Sequence, residues 1–304
     1  MRNAFAESLT KLAASNKKIV LLSGDIGNRL FDKFKKKFPK RFYNCGVAEA
    51  NMTGVASGLA SMGFVPITYT ITPFNTARCF ENIKLDICYP KLPVIIVGTG
   101  SGLSYSTLGS SHHSMEDIAI LRTLPNINVI CPGDPIEVKL ALREAIKSKK
   151  PTYLRIGKKG EPIVHKRKPL LKIGRVNKIF SGKNIVIIGV GNVLQLAVDC
   201  RNILKKYSID AEVASFHSIK PLDKYYLNKK INEKKLIVII EEHGFTGGAA
   251  SAVLEFANNK KKNVNILSIS GPDRFLTAYG NQKNSRKRIG LDPNKIVKKI
   301  LNSY

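Results

Sequence analysis

Acidic residues are scarce in this chain: 22 Asp and Glu stand against 50 Lys and Arg in 304 residues, a formal net charge of +28. Long apolar runs are lacking too. None approaches the roughly 18–20 residues that a membrane helix needs; the longest, residues 92–97 and 185–190, have strand length. The first seven residues hold no charged region followed by an apolar one, so neither a signal peptide nor a membrane span is expected. Cysteine is sparse and odd in number, Cys45, Cys79, Cys88, Cys131 and Cys200, with no C-x-x-C pair. That pattern argues against a disulfide framework or a zinc site, and a reducing cytoplasm fits it best.

The basic excess admits three readings. A nucleic-acid binder concentrates its charge beside a recognition motif. Here the lysines are dispersed, and runs such as residues 33–37 and 258–262 look like solvated faces and helix ends. Lysine-rich solvation is therefore preferred over nucleic-acid binding. The third reading is an acidic partner protein.

What is present is a steady alternation. Strand-like runs at 18–23, 65–70, 94–99, 129–131 and 152–156 are separated by helical patterns at 30–38, 48–62, 75–89, 115–123 and 135–148, with residues 2–15 as the first helix. Residues 157–181 break the pattern, rich in Lys, Pro and Gly, with one strand candidate at 170–173. A second alternation follows: strands at 184–189, 211–215, 235–241 and 264–269, helices at 193–207, 224–231, 248–258 and 293–301. Asp292 is placed to cap the last helix and Pro293 suits its first turn. The expected fold class is α/β, two domains that are each a mostly parallel sheet flanked by helices, at 1–156 and 182–304 with 157–181 as linker. Open parallel sheets bind ligands beyond the carboxyl ends of their strands, so the loops there are the places to search.

Those loops read Ser23-Gly24-Asp25-Ile26-Gly27-Asn28-Arg29, then Gly46-Val47-Ala48-Glu49-Ala50-Asn51-Met52, then Gly98-Thr99-Gly100 through Ser111-His112-His113 to Glu116-Asp117. Each alone has an ordinary explanation: Glu49 as a helix cap, a lone His as a structural residue. Their order and spacing, continued by Leu121-Arg122-Thr123-Leu124-Pro125-Asn126, resembles the pyrimidine-binding domain of transketolases. Ser218-Ile219-Lys220-Pro221-Leu222-Asp223 and Glu241-Glu242-His243-Gly244 resemble the C-terminal domain of that family. Deoxyxylulose-phosphate synthase and the β-subunit of 2-oxo-acid dehydrogenases share the architecture, but the motifs sit closest to transketolase.

The resemblance implies thiamine diphosphate as cofactor and transfer of a two-carbon ketol unit between sugars. Glu49 matches the glutamate that hands a hydrogen to N1′ of the pyrimidine, and a partly apolar surround is expected to hold that proton. Phe74 matches a residue that packs on the ring, with plain core packing as the alternative. Asp25 matches an aspartate near the thiazolium side, with capping of the helix near Leu30 as the alternative. His112 matches a histidine facing the reacting carbon. His243 is expected to be structural, at an interface.

Departures from the family pattern are equally informative. No Gly-Asp-Gly segment of the kind that holds Mg²⁺ and the diphosphate is present. A second, N-terminal transketolase subunit is therefore expected to supply that half and most of the Mg²⁺ ligation, in an α₂β₂ heterotetramer. This chain itself is expected to hold no metal. Gly100 and Leu108 stand where typical members carry a His and an Asp that contact substrate, and Ile71 and Ala77 replace aromatics near the pyrimidine. Arg29 and Lys158 fall near phosphate-contact positions, with solvated surface charge as the alternative. These changes point to an unusual or modified sugar. The competing functions are decarboxylation of a 2-oxo acid followed by carboligation, and a basic nucleic-acid-binding role.

Overall fold

Residues 1–27, 29–261, 264–277 and 280–304 are described by the computed structural model of the chain; Asn28 of the first loop and Lys262 of the second lysine run lie outside them. The first half runs α1 Arg2–Ser15, β1 Ile19–Ser23, α2 Asp32–Lys37, β2 Phe42–Asn44, α3 Glu49–Ser61, β3 Val65–Ile71, α4 Thr72–Asn75, α5 Phe80–Asn82, β4 Ile95–Thr99, α6 Asp117–Thr123, β5 Asn128–Ile130, α7 Pro135–Ser148 and β6 Thr152–Ile156. The second runs β7 Asn177–Phe180, β8 Ile185–Val190, α8 Leu194–Leu204, β9 Ala211–Ser215, β10 Ser218–Lys220, α9 Lys224–Glu233, β11 Leu236–Gly244, α10 Ala249–Asn259, β12 Ile266–Gly271, α11 Gln282–Arg288 and α12 Pro293–Ser303.

Two mostly parallel sheets result, as the alternation implies. The first is ordered β10-β5-β6-β4-β3-β1-β2 and the second β12-β11-β8-β9-β7. Strands such as β4 and β8 are buried along their whole length, which is why they appear as unbroken apolar runs. On one face of the first sheet, Leu21, Ile67 and Val97 pack against Phe5 and Leu9 of α1 and Leu142 of α7. On the other, Leu22 and Ile96 meet Met52 and Ala56 of α3, and the same apolar cluster continues through Ile188 and Ile239 of the second sheet.

Two local expectations fail, and a strand lies where none was expected. Residues 75–89 do not form one helix. Asn75 Nδ2 donates to Val97 O (2.9 Å) and Thr68 Oγ1 (3.2 Å), Thr76 Oγ1 donates to Thr72 O (2.7 Å), and the backbone turns away at Thr76 (φ −125, ψ −77). Side chains that bond locally in this way compete with the helix ladder. The chain re-enters helix at α5 and passes through a π-helical stretch at Ile83–Cys88. Residues 170–173 are not a strand; the strand of that segment is β7, antiparallel to β9 at the edge of the second sheet. Finally, Ser218–Lys220, which sequence treats as part of a motif, is β10, and it crosses to pair antiparallel with β5 of the first sheet.

The cap expected at Asp292 is present, accepting from the Asn294 and Lys295 amides, and Asp134 caps α7 in the same way by accepting from the Glu137 amide. Buried polar contacts join the halves. Arg155, 2% exposed, binds Asp117 through two nitrogens and also donates to Glu242 O (2.9 Å). Burial works against a charge on Asp117, but Arg155, with His243 and Tyr153, holds its carboxyl below the usual range. His243 is fully buried where the halves meet: its Nε2 accepts from the Ala119 amide at 3.3 Å, consistent with an interface role.

Candidate active site

The carboxyl ends of β1, β3 and β4 open toward the loops singled out by sequence. Glu49 is the first residue of α3, where the positive end of the helix favours an anion. Its side chain is 3% exposed. A Cβ placed on Gly24 would lie 3.6 Å from Glu49 Oε1 and only 2.8 Å from Thr70 Oγ1, so the turn after β1 must be glycine to lie this close. Thr70 Oγ1 is buried there without a hydrogen-bond partner among the described residues.

The buried Glu49 carboxyl has a charged neighbour as well as apolar ones. Its Oε2 accepts from Arg78 Nη1 at 2.6 Å, and the Arg78 guanidinium lies 4.5 Å from the centroid of the Phe74 ring. Phe74, half-buried on α4, meets the His112 ring edge-on at 5.1 Å. His112 is 6.1 Å from the Tyr105 ring, and Lys158 Nζ is 4.1 Å above that ring's centroid. Burial, then the neighbouring charges of His113 and Lys158, push the His112 imidazole below its ordinary value. Six side chains thus form one continuous line of contacts, from a buried carboxylate to a partly exposed ammonium.

The other expected residues fall around this line. Ile71 is buried at the end of β3, immediately before α4. Asp25 is exposed; it accepts from Asn44 Nδ2 at 3.2 Å and does not cap α2, whose N-cap is Phe31 with no side-chain bond. Leu108 is 49% exposed and ends a short 3₁₀ turn whose Leu108 amide donates to Tyr105 O. Gly100 has φ +77, and a Cβ there would come 2.0 Å from Tyr105 Cε2. The volume of any side chain at position 100 is taken by the Tyr105 ring. Arg29 stands apart: it is exposed and lines a cavity of about 650 Å³ with Asn3, Glu7 and Thr10 of α1. Among the described residues, no group of three His, Cys, Asp or Glu is placed to hold a metal ion. No helix among them is long and apolar enough to cross a membrane.

Sequence reasoning missed Arg78 and Tyr105. Arg78 had no clear signal, since the chain between Phe74 and Arg78 leaves the helix at Thr76. Tyr105 had none in isolation, because only the folded loop returns it to Gly100.

Comparison with known proteins gives a consistent picture. The model of the transketolase pyrimidine-binding domain matches residues 1–161, and that of the transketolase C-terminal domain matches residues 174–296. A putative transketolase C-terminal section from Methanocaldococcus jannaschii is 34% identical over 304 residues, covering 99% of this chain and 95% of that protein. One of the subunits of an apulose-4-phosphate transketolase from Phocaeicola vulgatus is 32% identical over 302 residues, covering 99% of this chain and 96% of that one. A solved structure described as a split-gene transketolase in an inactive β4 tetramer superposes with a TM-score of 0.89 at 31% identity, covering 99% of this chain and 97% of the other.

Proposed function

Because this chain belongs to the transketolase family, we propose that it is the pyrimidine-binding subunit of a split, thiamine-diphosphate-dependent transketolase. The observation that carries the reading is the burial of Glu49 beside an aromatic face, at one end of a line of contacts that reaches His112. The residues fit the cofactor's ring: Glu49 offers a carboxyl edge, Phe74 and Ile71 an apolar wall, and the Gly24 turn leaves Thr70 Oγ1 without a partner nearby. When bound, thiamine diphosphate supplies a carbon nucleophile that carries a two-carbon unit from one sugar to another.

The chain's own residues then have separable tasks. Glu49 holds a hydrogen at the pyrimidine N1′, and Phe74 and Ile71 orient the ring and exclude water. Asp25, exposed beside Gly24, faces the thiazolium side. His112 is held with little charge by its surroundings, so it can take or give a proton at a substrate hydroxyl. Lys158 supplies charge for an anionic group, and Arg29 does so only if a substrate extends to α1. Gly100 and Leu108 shape a pocket for a sugar phosphate other than the usual pentose phosphates. The named relative acting on apulose 4-phosphate supports that direction.

A partner subunit would carry the diphosphate site and most of the Mg²⁺ ligation, in an α₂β₂ assembly. The proposed domain limits are 1–156 and 182–304, with 157–181 between them. Five free thiols, four of them buried, fit a reducing, cytoplasmic compartment.

The test is reconstitution with the partner subunit. Glu49→Gln should abolish ketol transfer, measured by coupled assay, while gel filtration shows the complex intact. Unimpaired turnover in that variant would remove the mechanism, and CO₂ release from pyruvate by the wild-type complex would reassign the reaction.

A further inference from the structure

Arg78 contacts both residues read above as ring-binding, Glu49 and Phe74. A single guanidinium covers both surfaces that a pyrimidine would use. Its Nη1 donates to Glu49 Oε2 at 2.6 Å, and its Cζ lies over the Phe74 ring, 4.5 Å from the centroid. The match is chemical as well as spatial. A guanidinium is flat, presents in-plane N–H donors to a carboxylate and stacks on an aromatic face, as an aminopyrimidine does.

The surroundings suit a movable group. Glu49 is 3% exposed, whereas the Arg78 side chain is 45% exposed, so the guanidinium lies on the solvent side of the carboxyl. Arg78 lies between α4 and α5, beyond the break at Thr76, and its amide reaches back to Pro73 O at 3.2 Å. Rotation of this side chain into solvent would leave the apolar core beneath it undisturbed.

We propose that Arg78 is a positioning residue that stoppers the ring site of the free subunit: it keeps the buried Glu49 carboxylate paired and is displaced when the cofactor's pyrimidine enters. The proposal rests on the reading of Glu49 and Phe74 as ring-binding residues and adds a competitor to them. A buried carboxylate without a partner is strongly unfavourable, so the cofactor-free chain needs such a cation. The same pairing lowers ring affinity by the fraction of time the site is closed. A subunit waiting for its partner would thus be stable and closed.

The competition is measurable without turnover. The full-length chain is titrated calorimetrically with 4-amino-5-hydroxymethyl-2-methylpyrimidine, which carries the ring and no diphosphate. Arg78→Ala should bind it at least tenfold more tightly than wild type, because the competitor is gone and the stranded carboxylate gains a partner. Adding Glu49→Gln to Arg78→Ala should erase the gain. Circular dichroism checks folding; if Arg78→Ala does not fold, Arg78→Gln, which keeps a neutral donor, should show a smaller gain of several-fold. Equal or weaker binding by a folded Arg78 variant overturns the proposal, as does an absence of binding by every variant. In either case, loss of turnover by Glu49→Gln in the reconstituted complex would leave the cofactor reading standing. Tighter binding by Arg78→Ala beside a fully active Glu49→Gln complex would instead sink that reading and keep the competition.

Discussion

Gly100, Tyr105 and His112 illustrate how single residues define this site. Sequence presents Gly100 as the loss of a substrate-binding side chain. Structure presents it as an exchange, since the Tyr105 ring fills the volume next to a backbone at φ +77 and lies 6.1 Å from His112. His112 is therefore bounded by two aromatic rings, and its imidazole is pushed below its ordinary value first by burial and then by His113 and Lys158. His112→Ala should slow turnover of the reconstituted complex by roughly 10²–10⁴-fold, the usual contribution of a positioned acid–base group. The acidic limb of the wild-type kcat/KM profile should lie below the ordinary imidazole value of 6.5 and vanish in the variant. An unchanged limb would assign it to another residue.

At the scale of elements, the start of α7 and the segment after β6 form a buried polar joint. Asp134 caps α7 and accepts from the Val164 and His165 amides and from His165 Nδ1 at 2.9 Å. His165 Nε2 lies 3.3 Å from Glu137 Oε1, an ion-pair distance, and Glu137 in turn binds Asn177 of β7 and Ser215 of β9. Burial opposes a charge on His165, but the Asp134 hydrogen bond and the Glu137 charge outweigh it and raise the imidazole above 6.5. A histidine raised in the folded state gives stability that is complete below its unfolded value and is lost as pH rises through its folded value. Asp134 is lowered to about 2 despite burial, chiefly by the His165 hydrogen bond, so its contribution is lost only as pH falls from 3.8 toward that value. His217, lowered by burial, acts below 6.5 in the opposite direction from His165. Urea unfolding of the wild type should thus show stability declining as pH rises above 6.5, and His165→Gln should flatten that decline. An identical slope in the variant would place the titration elsewhere.

The whole molecule is governed by charge and by shared structure between its halves. With β10 paired to β5, and Arg155 bound to both Asp117 and Glu242 O, neither half can open without exposing buried polar groups of the other. Thermal unfolding followed by calorimetry and by near-ultraviolet dichroism should give one coincident transition; two separated transitions would show that the halves unfold independently. The net charge of +28 should steer an acidic partner. The association rate should fall about tenfold or more between low and high ionic strength, measured by stopped flow. A salt-independent rate, or a basic partner, would return the lysines to a purely solvating role.

The amino-acid order by itself determined the alternation of buried strands and amphipathic helices, the cap at Asp292, and the family resemblance that singles out Glu49 and His112. These rest on local periodicity, local hydrogen bonds and motif spacing. It did not determine that Thr76 breaks the helix expected at 75–89, that β10 joins the other sheet, or that Arg78 and Tyr105 occupy the space around Glu49 and Gly100. Each of those depends on which groups compete for the same volume or the same hydrogen bond once distant segments meet. Only tertiary packing brings such competitors together.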